Sequence, residues 1–170
     1  STSGSVGRAL KLISLYGNKI LLRHQADWIS GWILNNWEYG EESNNLRMGW
    51  EISTKSWPET FNNLNWFNCL PKIVSSGHIM GNICNKKANE LNLPKNLKII
   101  AGTTDSNAGV LAAFPETNDG VTILGTTIVI KKFVNKPLLG KGISNHKLLD
   151  NWLCGGASNA GAAILLDFFN

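Results

Sequence analysis

Hydrophobic residues recur at helical spacing in the first part of the chain, and they change to short β-branched runs in the last part. Over residues 6–16 the apolar positions follow the 3.6-residue period of a helix, and Gly17 follows as a stop signal. The same period predicts further helices over three segments, residues 24–35, 57–70 and 85–91. Between these segments the chain is polar or rich in turn residues, which predicts a loop with a short helix over 39–48 and an extended stretch over 71–81.

The period changes after Phe114. The runs 121–124 and 128–133 flank Gly125, Thr126 and Thr127, a pattern that predicts a strand, a tight polar turn and a second strand. Residues 152–154 predict a third strand, and residues 157–169 predict a final helix. Pro115 and Asn118 are typical of a linker, so the sequence predicts a boundary between residues 1–114 and residues 119–170.

Residues 98–113 are the most informative stretch for function. The apolar run 97–101 predicts a buried strand, Gly102 ends it, and a polar group containing Thr104 and Asp105 precedes a small-residue helix. In open α/β sheets ligands bind beyond the carboxyl ends of strands, which places Asp105 at the mouth of a cleft. The other interpretation is that Asp105 or Thr104 only caps the helix through its side-chain oxygen, and local spacing leaves both interpretations open.

Composition narrows the class of protein. The chain has 170 residues, of which 43% are hydrophobic and 16% charged, so it can bury a core and is not disordered. No apolar run is long enough for a transmembrane helix, so we expect no membrane partner. Three scattered cysteines without a Cys-x-x-Cys pair favour reduced thiols and a cytoplasmic protein.

The positive charge is spread along the chain, so the net charge of +4 does not predict a nucleic-acid partner. The doublets Lys86-Lys87 and Lys131-Lys132 are expected on solvated faces, as are Glu41-Glu42 and Asp119. Asp27 is expected to cap a helix. The three histidines, His24, His78 and His146, have no metal-ligand spacing, so no metal site is predicted from them.

Two glycine-containing segments offer groups that suit phosphate. Gly125, Thr126 and Thr127 present backbone N–H groups and two hydroxyls where no bulky side chain intervenes, although such turns are also common in ordinary hairpins. Residues 155–158, Gly-Gly-Ala-Ser, could form a second phosphate-facing turn at a helix N-terminus or a close strand-to-helix crossing. No Gly-x-Ser-x-Gly elbow supports a hydrolase triad.

The order of the motifs resembles that of the FGGY family of carbohydrate kinases over almost the full length. Five segments carry the resemblance. They are the "Ala-Asp-aromatic" helix at Ala26-Asp27-Trp28, the segment Asn44-Asn45-Leu46-Arg47-Met48-Gly49-Trp50, Trp57-Pro58 followed by Leu70-Pro71 with Ile73-Val74, Gly77 and Gly81, the signature Ala101-Gly102-Thr103-Thr104-Asp105, and the turn Gly125-Thr126-Thr127. The chain departs from the family pattern at Glu51, where Asp is usual, and at Thr103, where a second glycine is common.

The resemblance implies an α/β, RNase H-like fold of the actin-like ATPase superfamily, in a fragment that spans the end of the first domain and the start of the second. Residues 1–114 would belong to the N-terminal, sugar-binding domain, and residues 119–170 would begin the C-terminal, nucleotide-binding domain. On this basis the family's N-terminal phosphate loop and adenine-binding loop are expected outside the chain, and the 170-residue piece is expected to be inactive alone.

The resemblance also implies an activity and its residues. The expected reaction is transfer of the γ-phosphoryl group of ATP to a hydroxyl of a sugar, with a pentulose such as D-ribulose or D-xylulose as the expected acceptor and Mg²⁺ as the cofactor. Asp105 matches the catalytic base and, with Thr104, the substrate site, while Gly125, Thr126 and Thr127 match the turn that contacts the nucleotide phosphates. A noncatalytic remnant or sugar-binding module of the same fold is the alternative.

Overall fold

The computed structural model describes residues 4–116 and 118–169, which form two compact units. The units divide between Thr103 and Thr104. This division lies before the boundary that the sequence predicts at residues 114–119, and it groups the helix after Thr104 with the strands that follow. The assignment of residues 1–114 and 119–170 to a sugar-binding and a nucleotide-binding domain stays a prediction.

The first unit combines four helices with two small sheets. The helices are α1 (Ser5–Tyr16), α2 (Gln25–Leu34), α3 (Glu42–Asn45) and α4 (Asn85–Leu91). The strands are β1 (Tyr39–Glu41), β2 (Lys72–Val74), β3 (Ile79–Asn82) and β4 (Lys98–Ile100). β1 pairs with β2 in parallel and β3 pairs with β4 antiparallel, and short 3₁₀ turns cover Leu46–Met48, Glu59–Phe61 and Phe67–Cys69.

The helices predicted over residues 6–16, 24–35 and 85–91 are present, but the helix predicted over 57–70 is wrong. Two 3₁₀ turns replace it, because Pro58 and the asparagines between the apolar residues favour turns over a continuous helix. The apolar residues of this segment instead form an aromatic cluster, in which the ring centroids of Phe61 and Trp66 are 5.4 Å apart. The apolar spacing therefore identified residues that pack together, but it did not predict the backbone conformation that brings them together.

The strand predicted over residues 97–101 exists as β4, but it is not buried. Ile100 is 54% exposed, because β4 pairs only with β3 in a two-stranded sheet. Ala101, directly after the strand, is 3% exposed. The apolar run therefore forms an open strand, and only its last residue enters the interior of the unit.

The second unit is built on one antiparallel sheet. Its strands are β5 (Gly120–Leu124), β6 (Ile128–Val134), β7 (Ser144–Leu148) and β8 (Asn151–Ser158), in the order β5-β6-β8-β7. Its helices are α5 (Asp105–Ala112) and α6 (Ala163–Phe169). Val110 of α5 packs with Leu148 and Leu153 of the sheet, and none of these three side chains is more than 1% exposed.

The predicted hairpin around Gly125 is confirmed, whereas the end of the chain differs from the prediction. Residues 155–158 lie within β8, so they form neither a phosphate-facing turn nor a strand-to-helix crossing. The following helix begins at Ala163 rather than at residue 157. β7, which the polar sequence Ser-Asn-His-Lys-Leu did not predict, pairs with β8 along its whole length. Within the described ranges, no helix is both long and apolar enough to cross a membrane.

Three carboxylates that the sequence places elsewhere are buried in the first unit; one of them, Glu42, is 2% exposed rather than solvated. Glu41 is 4% exposed rather than solvated; it caps α3 by accepting from the backbone N–H groups of Ser43 and Asn44, each at 2.9 Å. Asp27 is 5% exposed and does not cap its own helix. Its oxygens accept from the N–H of Glu41 at 2.9 Å and from Nδ2 of Asn45 at 3.0 Å. The side chain of Asp27 thus joins α2 to the β1–α3 corner, and the side chain of Glu41 holds that corner together.

Burial shifts the pKa values of two side chains at this corner, Asp27 and His24. Loss of solvent raises the pKa of Asp27, although its two hydrogen bonds and nearby His24 oppose the rise. Burial likewise lowers the pKa of His24, against the opposing charges of Asp27 and Glu41. Burial therefore disfavours the ionised form of Asp27, and the two hydrogen bonds offset this cost only in part.

The raised pKa predicts how pH affects stability. As pH rises above the ordinary value for an aspartate, the unfolded chain loses its proton before the folded chain does, so the contribution of Asp27 to the free energy of unfolding falls through this window. We expect the free energy of unfolding of the wild type, minus that of Asp27→Asn, to fall as pH rises through the same window. Denaturant titrations followed by tryptophan fluorescence measure it.

Asp150→Asn is the matched control, since Asp150 is exposed and lies in the second unit. The same titrations on this variant control for the loss of a carboxylate that is exposed. A difference for Asp27→Asn that is flat or rises with pH would contradict the assigned cause.

Candidate functional site

The N-terminus of α5 presents Asp105 to solvent. Thr104 has the extended backbone of an N-cap residue, with φ of −72° and ψ of 153°, but its side chain makes no capping hydrogen bond. Its carbonyl accepts from the N–H groups of Asn107 and Ala108 and so starts the helix. Asp105 is the first helical residue and is exposed; its Oδ1 accepts from the N–H of Ser106 at 2.6 Å.

Asp105 lies close to a buried lysine that the sequence had placed on a solvated face. Lys131 is only 5% exposed, because its side chain points to the α5 side of the sheet, where Nζ donates a hydrogen bond to Oδ1 of Asn107. Asn107 is completely buried. Burial lowers the pKa of Lys131, and the charge of Asp105 raises it. The prediction of a solvated doublet is therefore wrong for Lys131, while Lys132 is exposed as expected.

The turn between β5 and β6 presents its threonines to solvent. Gly125, Thr126 and Thr127 are all exposed, and the N–H of Gly125 donates to the carbonyl of Thr127 at 2.9 Å. The N–H of Gly125 is thus used within the turn, which corrects the expectation that it is offered to a ligand. The two hydroxyls remain as exposed polar groups that can contact a phosphate oxygen.

A glycine after β8 closes against the back of this turn. The N–H of Ala162 donates to the carbonyl of Gly125 at 2.8 Å. A Cβ on Gly161 would lie 2.6 Å from the carbonyl oxygen of Thr126 and 2.7 Å from that of Gly125, distances that real carbon atoms do not reach. The absence of a side chain at residue 161 therefore lets the chain support the turn directly.

The structure places the predicted residues in one unit but not in one cluster. Asp105 groups with Asn107 and Lys131, whereas the Gly125–Thr127 turn lies roughly 13 Å along β6 from Lys131, at about 3.3 Å per residue. Sequence reasoning missed Asn107, Lys131 and Gly161. The signal for Lys131 was present, because a lysine in the β-branched run 128–133 interrupts a pattern that otherwise predicts burial.

Metal ligands are not identified at this site. Within residues 4–116 and 118–169, no three His, Cys, Asp or Glu side chains are grouped so that they could hold an ion. Mg²⁺ in phosphoryl-transfer sites is bound by one or two carboxylates together with substrate phosphates and water, so it does not require such a group. No step below depends on a metal ligand from this chain.

Comparison with known proteins gives a consistent class. No family model matches the chain. The chain is 28% identical over 124 residues to the Bacillus subtilis (strain 168) protein named "Putative sugar kinase YoaC", a match that covers 72% of the chain and 25% of that protein. The chain thus spans about a quarter of the length of this curated relative.

Solved structures of sugar kinases match between 83% and 98% of the chain. Xylulose kinase from Rhodospirillum rubrum matches 98% of the chain and 36% of its own, with a TM-score of 0.81 and 13% identity. The structure of Plasmodium falciparum glycerol kinase with ADP matches 94% of the chain and 35% of the kinase, with a TM-score of 0.73 and 18% identity. Gluconate kinase from Lactobacillus acidophilus matches 83% of the chain and 30% of the kinase, with a TM-score of 0.71 and 17% identity. Over the part that it spans, the chain shares the mixed helix and sheet fold of these kinases.

Proposed function

We propose that this chain is part of an ATP-dependent sugar kinase in which Asp105 is the catalytic base. The observation that carries the proposal is the exposed carboxylate at the start of α5, in a fold shared with sugar kinases. The B. subtilis relative carries a sugar-kinase name and supports the same class. The RNase H-like placement and the assignment of residues 1–114 and 119–170 to two kinase domains belong to this proposal.

Asp105 supplies a proton acceptor. Its carboxylate takes the proton of a sugar hydroxyl as that oxygen attacks the γ-phosphorus of ATP, and the bond to the β-phosphate oxygen breaks to release ADP. The helix dipole of α5 favours the negative charge at its first residue. Thr104, directly before the base, is the second residue proposed to contact the sugar. Mg²⁺, when bound with the nucleotide, neutralises charge on the phosphates.

The nucleotide is proposed to contact the β5–β6 turn. Thr126 and Thr127 offer exposed hydroxyls to phosphate oxygens, and Gly125 leaves the approach open because it has no side chain. The glycerol kinase with the same fold was solved with ADP, which fits a nucleotide role for this class. A pentulose is the proposed acceptor, supported by the similarity to xylulose kinase, although gluconate and glycerol kinases share the fold.

The role of Asp105 is tested by Asp105→Asn in the protein that carries this chain. The amide keeps the shape of the side chain but cannot accept the proton, so we expect kcat to fall by about 10² to 10⁴ with ATP and D-ribulose or D-xylulose. A coupled assay for ADP formation measures the loss.

Asp119→Asn is its control, because Asp119 is an exposed aspartate of the same unit and should leave kcat unchanged. Retention of activity within a few-fold in Asp105→Asn would reject the base. Sugar binding without phosphorylation by the wild type would instead favour the noncatalytic module.

The nucleotide turn is tested by Gly161→Ala. The added Cβ must displace the backbone of Thr126 and Gly125, so we expect the Kd for ATP to rise about tenfold, which corresponds to about 1.4 kcal/mol. Isothermal calorimetry measures the affinity.

Gly120→Ala is the matched control, since a Cβ at the start of β5 meets no atom within 4 Å. Equal ATP affinity in the wild type and Gly161→Ala would place the nucleotide away from this turn.

A further inference from the structure

We propose that Lys131 is a positioning residue for Asp105, which fixes the first turn of α5 on the sheet and places a positive charge beside the carboxylate. The inference rests on the proposed function, because it treats Asp105 as the base. Lys131 itself does not touch the substrate, since it is buried.

The first support is the contact between Lys131 and Asn107. Nζ of Lys131 donates to Oδ1 of Asn107, and Asn107 is completely buried, two residues after Asp105 on α5. The bond therefore joins the turn of helix that carries the carboxylate to the middle of β6. Apolar packing alone would hold α5 on the sheet without fixing the orientation of its first turn. The hydrogen bond from the charged Lys131 also fixes that orientation.

The second support is the space made for the lysine stem. Lys131 pairs across the sheet with Gly155 of β8. A Cβ on Gly155 would lie 2.8 Å from Cγ of Lys131 and would also collide with the carbonyl oxygen of Ile130. The lysine side chain thus runs over a position where any other residue would displace it, so the path of the side chain to Asn107 is built into the sheet.

The third support is charge. Burial lowers the pKa of Lys131, and Asp105 raises it, so the two groups interact electrostatically. Among the described residues of β5 to β8, His146 of β7 is the other titratable side chain that alternation places on the same face as Lys131. An apolar residue at position 131 would remove this charge and the hydrogen bond to Asn107. Lys131 therefore gives Asp105 a charge interaction that packing alone would not supply.

The expected consequence is a loss in the chemical step. Lys131→Met removes the charge and the bond to Asn107 while filling a similar volume, so the carboxylate loses its fixed position. We expect kcat to fall by about tenfold or more while the KM for the sugar changes by less than about twofold, since misplaced groups cost rate more than ground-state binding. Lys131→Arg, which keeps the charge, should recover part of the loss.

Lys132→Met is the matched control. Lys132 is the next residue along β6, carries the same charge and is exposed on the other face of the sheet. It should leave kcat and KM unchanged. Equal effects of Lys131→Met and Lys132→Met, or an unchanged kcat in Lys131→Met, would overturn the inference.

A measurement that needs no activity separates this inference from the proposed function. In the 170-residue chain, NMR titration of the lysine side chains reports the pKa of Lys131 directly, and Asp105→Asn should lower it because the carboxylate that raises it is gone. An unchanged pKa of Lys131 would overturn the inference even if the kinase is active. A lowered pKa in the chain, together with no sugar phosphorylation by the whole protein that carries it, would reject the proposed function and leave the interaction intact.

Discussion

The pairing of β6 with strands on both sides is the constraint on which the second unit depends. β6 is hydrogen-bonded to β5 over five residue pairs and to β8 over seven, so its register is fixed from both directions. A slip of one residue would move Lys131 to the exposed face and bring Lys132 beneath α5. The same register determines where the strand ends, and therefore where the Gly125–Thr127 turn projects. One strand thus sets the positions of both the buried cation and the proposed phosphate contact.

Parts of the fold that follow from local patterns could be predicted from the sequence. The spacing of apolar residues, together with glycine or asparagine at the ends, correctly predicts the helices α1, α2 and α4 and the β5–β6 hairpin. The helix predicted around Phe61 is wrong because aromatic residues at helical spacing can also pack in a cluster whose backbone is made of turns. β7 was not predicted because its residues are polar, and they form a strand only when β8 supplies the partner hydrogen bonds.

The candidate site shows the same division. Asp105 and the turn were predictable, since a carboxylate at a strand-to-helix junction and a glycine between β-branched runs are local signals. The burial of Lys131 depends on Gly155, which lies more than twenty residues further along the chain, and on Asn107 in another element. Burial of Glu41 similarly depends on Ser76, whose hydroxyl donates to its carboxylate at 2.8 Å. Long-range partners of this kind leave no mark in the local pattern of either residue.

The contact of Gly161 with the β5–β6 turn also determines when that turn becomes complete during synthesis. The β5–β6 hairpin forms early, because its two strands are neighbours in sequence. The backbone that supports the turn from behind, however, belongs to the segment after β8, and it reaches the turn only when β7 and β8 have been made and paired. A nascent chain can therefore contain both strands of the hairpin while the loop proposed to bind phosphate still lacks its support. Nucleotide bound at the proposed site would be held more tightly once this late segment has docked, so its binding would favour the finished sheet over its precursors.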